Sequence, residues 1–139
     1  MRRETATPAE TEAIGAELAE RLAPGSVVLV SGELGSGKTT LVRGACRALG
    51  VEGPITSPTF TIGQLYAGRV SVAHVDLYRI AARGEALDGE DAALLEDYLA
   101  PDRVAFVEWP EAAGRVLERI TVRVRIEHRG GDRRMVSVT

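Results

Sequence analysis

Eight consecutive residues, Gly32-Glu-Leu-Gly-Ser-Gly-Lys38-Thr39, place two glycines, a lysine and a threonine at fixed intervals. That set suits the enclosure of a phosphate chain. Glycines let the backbone curl until successive N–H groups aim at phosphate oxygens, and a following helix N-terminus adds its partial positive charge. The lysine neutralises the β and γ phosphates, and the hydroxyl beside it is a ligand for Mg2+. Of the 17 basic residues, 16 are arginine and Lys38 is the only lysine. Given this composition, the pattern arises by chance roughly once in a thousand such chains.

A phosphate loop also requires a metal-ordering carboxylate at the end of a neighbouring strand. Asp76 closes the run Val70–Val75 and Glu108 closes Val104–Val107, so both are candidates. His74, two residues from Asp76 on the same strand face, either orients that carboxylate or makes a structural hydrogen bond. The segment Thr56-Ser-Pro-Thr-Phe60 falls between the loop helix and the next strand, where nucleotide-sensing segments occur. Its hydroxyls are suited to order a metal, a water or a γ-phosphate. Trp109, the sole tryptophan, directly follows Glu108 and is expected to wall the site. Guanine-specific switch proteins use Asn-Lys-x-Asp, and no second lysine exists to build it. Adenine, or weak base selectivity, is left.

The elements that must position these groups follow from periodicity and punctuation. Thr7, Pro8 and Glu10 read as N-cap, first turn and capping box of a helix. Ile14, Leu18 and Leu22 continue it on one face, and Pro24-Gly25 ends it. Val27–Val30 is apolar and β-branched throughout, which predicts a strand buried on both faces. After the glycine-rich turn, a helix is expected over Lys38–Leu49, with Cys46 an inert thiol on its core face. Residues 51–59 read as loop. Phe60–Tyr66 and Val70–Asp76 read as strands joined by the hairpin Ala67-Gly68-Arg69.

A helix over Asp88–Leu99, a strand over Arg103–Val107 and a short helix over Glu111–Leu117 follow. Arg119–Glu127 alternates Ile120, Val122, Val124 and Ile126 inward with arginines outward, then turns through Arg129-Gly-Gly-Asp into Met135–Val138. The sum is a single α/β domain over residues 1–139, with helices on a mixed sheet.

Composition narrows the function classes. The formal net charge of −3 disfavours a free-standing nucleic-acid binder. One cysteine excludes an internal disulfide and a cysteine-rich zinc site. No apolar stretch approaches the ~20 residues of a membrane helix. The opening Met1-Arg-Arg-Glu-Thr-Ala-Thr-Pro8 turns acidic and polar where a secretory signal requires an apolar segment, so the expected location is the cytoplasm. Charge is segregated along the chain. Glu85–Glu111 carries nine acidic residues against Arg103, and Arg115–Arg134 carries seven arginines against three acidic residues. Such runs are either solvated faces or docking surfaces for a partner or for phosphates.

The segments Gly32–Thr40, Thr56–Phe60, His74-Val-Asp-Leu-Tyr-Arg79 and Val107-Glu-Trp-Pro110, in that order and spacing, resemble the TsaE (YjeE) family across essentially the whole chain. The resemblance implies a three-layer P-loop NTPase-like fold with a mixed sheet of about seven strands. It implies an ATPase that binds ATP or ADP with Mg2+ and supports bacterial tRNA threonylcarbamoyladenosine synthesis with the TsaB–TsaD pair, meeting tRNA only through that complex. On this chain the nucleotide contacts fall on Gly35, Ser36, Gly37, Lys38, Thr39 and Thr40, and the metal ligands on Thr39 and Glu108. Asp76, Thr59 and Lys38 take the catalytic and switch positions, and Trp109 the site aromatic. Ser36 stands where alanine is more usual. The C-terminal arginine that approaches nucleotide maps to Arg133 or its neighbour Arg134, with Arg133 the first choice.

Two other classes fit a phosphate loop. A small-molecule kinase needs arginines in a lid, whereas Glu85–Asp102 is acidic and would repel phosphorylated substrates. A nucleotide-gated interaction module that does not hydrolyse would not require both Asp76 and Glu108.

Overall fold

The central strand is the one whose sequence is apolar on both faces. In the computed structural model, which describes every residue except 59, 60 and 118 and the side chains of residues 115 and 116, β2 (Val27–Ser31) lies mid-sheet with Val27, Val28 and Val30 fully buried. It pairs in parallel with β5 (Arg103–Glu108) and β6 (Val122–His128), and β5 pairs in parallel with β4 (Ser71–Asp76). Antiparallel partners close both wings: β3 (Gly63–Ala67) on β4, and β7 (Arg134–Val138) on β6 with β1 (Arg2–Thr5) outside it. The seven strands run β1-β7-β6-β2-β5-β4-β3.

Helices α1 (Pro8–Ala19) and α2 (Lys38–Ala48) cover one face. On the opposite face, α3 (Tyr78–Ala82), α4 (Gly89–Tyr98) and a 3-10 segment (Pro110–Val116, broken at Gly114) cover the β2 to β4 side. Two apolar cores result. Phe106, Val28, Val30, Leu18, Leu41 and Val42 fill the first, and Val75, Leu77, Leu95 and Val107 the second. The mixed α/β architecture and strand number agree with expectation.

Several local boundaries shift. Thr7 caps α1 by accepting from the Glu10 N–H at 3.2 Å, and Glu10 reaches back to the Ala6 N–H at 3.1 Å. The strand expected from Phe60 starts at Gly63, and Phe60 lies outside the described residues. The strand expected from Arg119 starts at Val122, so Ile120 precedes it and packs on the second core, while Val124 and Ile126 join the first. The short helix after β5 is 3-10. β1 and α3 have no counterpart in the sequence reading. Cys46 is fully buried and burial pushes its thiol up to about 12, so it is unreactive at neutral pH.

Candidate functional site

β2 ends at Ser31, and residues 32–37 turn the chain back into α2. Gly32 is required there: a Cβ would come within 2.4 Å of the Ile126 carbonyl oxygen on the next strand. Gly37 caps α2 in the left-handed region at φ 102° and offers no side-chain acceptor. The N–H groups of Lys38, Thr39 and Thr40, which open the helix, therefore lack helical partners and stand at a cleft of about 690 Å³. A run of free N–H groups with the helix dipole behind it is an anion site.

Lys38 is only 5% exposed. Its ammonium donates to the Gly32 and Glu33 carbonyls at 2.8 Å each, and lies 4.4 Å from the Trp109 ring centroid. Burial draws the ammonium below its ordinary pKa, and Glu108, Asp76 and Glu111 oppose that shift. The positive charge is held beside the free N–H groups, and among the described residues no carboxylate is bonded to it.

Both candidate carboxylates end at one level, because Asp76 is the register partner of Glu108 across β4 and β5. This is the carboxyl end of the parallel strands, where open α/β sheets bind ligands. The Thr39 hydroxyl lies 3.2 and 3.0 Å from the two Glu108 oxygens and 2.9 Å from the Ser57 hydroxyl. Oxygen donors of this kind suit a hard cation that keeps waters and phosphate oxygens as its remaining ligands.

His74 does not orient Asp76. Its Nε2 lies 2.5 Å from Glu108 Oε2, and both side chains are essentially buried. The register explains the partner: His74 is level with Phe106, so Glu108, two residues on, is its diagonal neighbour on the same face. Asp76 instead accepts from the Tyr78 N–H at 2.9 Å. Burial and then the Glu108 charge raise the Asp76 pKa, against the Tyr78 hydrogen bond and the His74 and Lys38 charges. Trp109 walls the cleft from a left-handed backbone at φ 58°, its ring edge-on to Tyr78 at 5.1 Å. That conformation costs a non-glycine residue about 1 kcal/mol or more, and surrounding packing must hold it.

A family model described as "Threonylcarbamoyl adenosine biosynthesis protein TsaE" matches residues 5–136. The chain belongs to the TsaE family. It is 40% identical over 123 residues to the tRNA threonylcarbamoyladenosine biosynthesis protein TsaE of Mycobacterium tuberculosis, covering 85% of this chain and 73% of the relative. It is 34% identical over 136 residues to the TsaE protein of Bacillus subtilis, covering 97% and 82%. The crystal structure of Bacillus subtilis YdiB superposes with a TM-score of 0.76 at 29% identity, over 99% of this chain and 82% of that one. The fold is thus P-loop NTPase-like, as the sequence implied.

With TsaE membership shown, the expected site residues divide by where they stand. Gly35, Gly37, Lys38, Thr39, Thr40, Asp76, Glu108 and Trp109 all line the one cleft, while Ser36 is buried beneath it. Thr59 lies outside the described residues; among those described, the Ser57 hydroxyl of this segment reaches Thr39. Of the two C-terminal arginines it is Arg134, not Arg133, that lines the cleft, together with Arg79 from α3. Arg133 bonds Glu4, its Nε at 3.0 Å from the carboxylate. At the start of β7, neighbouring residues take opposite sides, and Arg134 is paired with Thr5 and His128. Pro8 and Tyr78 also line the cleft. Pro8 carried no such signal, since a proline opening a helix is sufficiently explained by the helix. Among the described residues no helix is long and apolar enough to cross a membrane.

Proposed function

We propose that this chain is a cytoplasmic ATPase that binds ATP with Mg2+ and hydrolyses it in support of tRNA N6-threonylcarbamoyladenosine formation, working with the TsaB–TsaD pair. The family supports the pathway. The observation that carries the chemistry is the convergence of Lys38, the free N–H groups of α2 and the Thr39–Glu108 pair at one cleft. The loop amides and Lys38 receive the phosphates. Thr39 and Glu108 would hold Mg2+, which neutralises charge on the phosphate oxygens when bound. His74 fixes the Glu108 carboxylate from behind. Asp76 would orient a water and accept its proton; its position level with Glu108 and its raised pKa, which favours a better base than an exposed aspartate, support that role.

These roles separate by substitution. Glu108→Gln is expected to weaken Mg2+-dependent nucleotide binding or hydrolysis, whereas Asp76→Asn is expected to retain nucleotide and lose roughly 10²–10⁴ in hydrolysis rate. Calorimetry with and without Mg2+, beside phosphate release without any added acceptor, checks both. Wild-type turnover in both variants would leave both carboxylates outside the reaction. Hydrolysis without an acceptor also distinguishes this reading from a kinase.

Isolated turnover is expected to be slow. An arginine at the γ-phosphate can be worth ~10³–10⁵ in rate. Here the guanidinium of Arg134 is engaged by backbone carbonyls, and Arg79 is exposed at the rim. Adding TsaB–TsaD is expected to raise ATP turnover, and equal turnover with and without the pair would refute partner gating.

A further inference from the structure

Arg134 has a second feature besides its place at the cleft: four of its N–H groups donate to backbone carbonyls in two separate loops. Nε donates to Ser36 at 2.7 Å and a terminal nitrogen to Gly35 at 3.2 Å. The other terminal nitrogen donates to Gly131 at 2.7 Å and to Arg133 at 2.8 Å. The guanidinium thus ties the turn between β6 and β7 to the phosphate loop across nearly a hundred residues of sequence.

A trans peptide directs its C=O and the following N–H in opposite directions. Holding the Ser36 carbonyl on Arg134 therefore turns the Gly37 N–H away from Arg134, and among the described residues that N–H meets no backbone acceptor. Holding the Gly35 carbonyl turns the Ser36 N–H inward, where it donates to Glu33 at 3.0 Å and closes the tight turn. The same Glu33 carbonyl and that of Gly32 accept from Lys38. A Cβ at Gly37 would meet Arg134 Nε at an ordinary contact of 3.6 Å, so it is the left-handed φ of 102° and not the space that asks for glycine there.

We infer that Arg134 is a positioning residue that sets the peptide planes of the phosphate loop before any nucleotide arrives, rather than a direct nucleotide contact. This rests on the loop being the phosphate site. The ligand it favours is any polyphosphate, because the groups it aims are loop amides and not contacts to base or ribose. Lysine cannot replace it, since a single ammonium does not present the planar fork that reaches both loops.

The test uses the full chain with Arg134→Ala and Arg134→Lys, folding being checked by thermal melting. Amide exchange of residues 32–38 without nucleotide is expected to speed up in both variants. ATP, ADP and inorganic tripolyphosphate affinities are expected to fall together, by about tenfold, with adenosine affinity unaltered. Unchanged loop exchange beside weakened ATP binding would overturn the inference in favour of a direct contact. Restoration of affinity by lysine would overturn it in favour of charge alone. Failure of the unaltered chain to bind tripolyphosphate or ATP would instead remove the nucleotide reading, and this inference with it.

Discussion

Lys38→Ala is expected to weaken ATP binding by at least about 100-fold while the chain stays folded. The ammonium is nearly buried, held by two loop carbonyls and lying near the Trp109 ring, where a polyphosphate's negative charge would meet it with little solvent screening. A charge-assisted contact of this kind contributes about 1.5–3 kcal/mol, and the loss of net positive charge from the anion site adds to it. Stability should change little, because the side chain faces the cleft rather than either apolar core. The sign of the electrostatic part supports this. A lysine whose folded pKa lies below its unfolded value costs stability throughout the neutral range, where both states are charged. That cost is relieved only as pH rises through the folded and then the unfolded pKa. Alanine removes it and leaves two carbonyls to water. Isothermal calorimetry with a parallel thermal melt checks both halves. Unchanged ATP affinity in a folded variant would remove the phosphate-loop assignment.

The parts of this site that were legible in sequence were those fixed by local spacing. Gly32 to Thr39 carries its own geometry, since turn, lysine and helix start are contiguous. Asp76 and Glu108 could be placed because each ends an apolar run, and parallel strands of a nucleotide fold end at one edge. What sequence could not supply was relation across strands. The partner of His74 depends on the register of β4 against β5, which no local pattern encodes. The choice between Arg133 and Arg134 depends on the phase of β7, one residue of slip exchanging its two faces. β1, Arg2–Thr5, is a four-residue polar edge strand with only Thr5 buried, so it carries no apolar alternation to detect. α3 spans five residues, too few for helical periodicity to show, and is held by packing of Ile80 and Leu77 in the second core. Gly15 and Gly44 each look like a tolerated glycine in its own helix. Their importance lies in the other helix.

Gly44→Ala is expected to destabilise the chain by ~2–4 kcal/mol, although alanine is the better helix former. An added Cβ at residue 44 would lie 2.0 Å from the Glu12 carbonyl oxygen and 2.6 Å from its carbonyl carbon and Cα. At residue 15 it would lie 2.1 Å from the Leu41 carbonyl oxygen and 2.9 Å from the Ala45 nitrogen. α1 and α2 thus touch backbone to backbone at both places, and none of the clashing atoms can rotate away. Relief requires the helices to separate, which loosens Ile14, Leu18, Leu41, Ala45 and Cys46, all essentially buried between them and the sheet. Overpacking costs about 1–3 kcal/mol and occasionally more, and rigid backbone on both sides puts this site at or beyond the upper end, at about 3–5 kcal/mol. The helix-propensity gain of roughly 0.8–1 kcal/mol offsets only part of it. A chain of 139 residues falls between the small-domain and large-domain scales, and at about 4 °C per kcal/mol the melting temperature should fall by roughly 8–16 °C. Gly44→Val should fall further, since a branched side chain forces a wider gap. The effect should also reach the site, because α2 begins with Lys38 and Thr39. Separation of α2 from α1 shifts those groups against Glu108 on β5, so residual folded Gly44→Ala is expected to bind ATP more weakly than wild type. A melting temperature equal to or above wild type, as propensity alone would give, would show that the helices part without strain and that close backbone contact does not set the position of the phosphate loop.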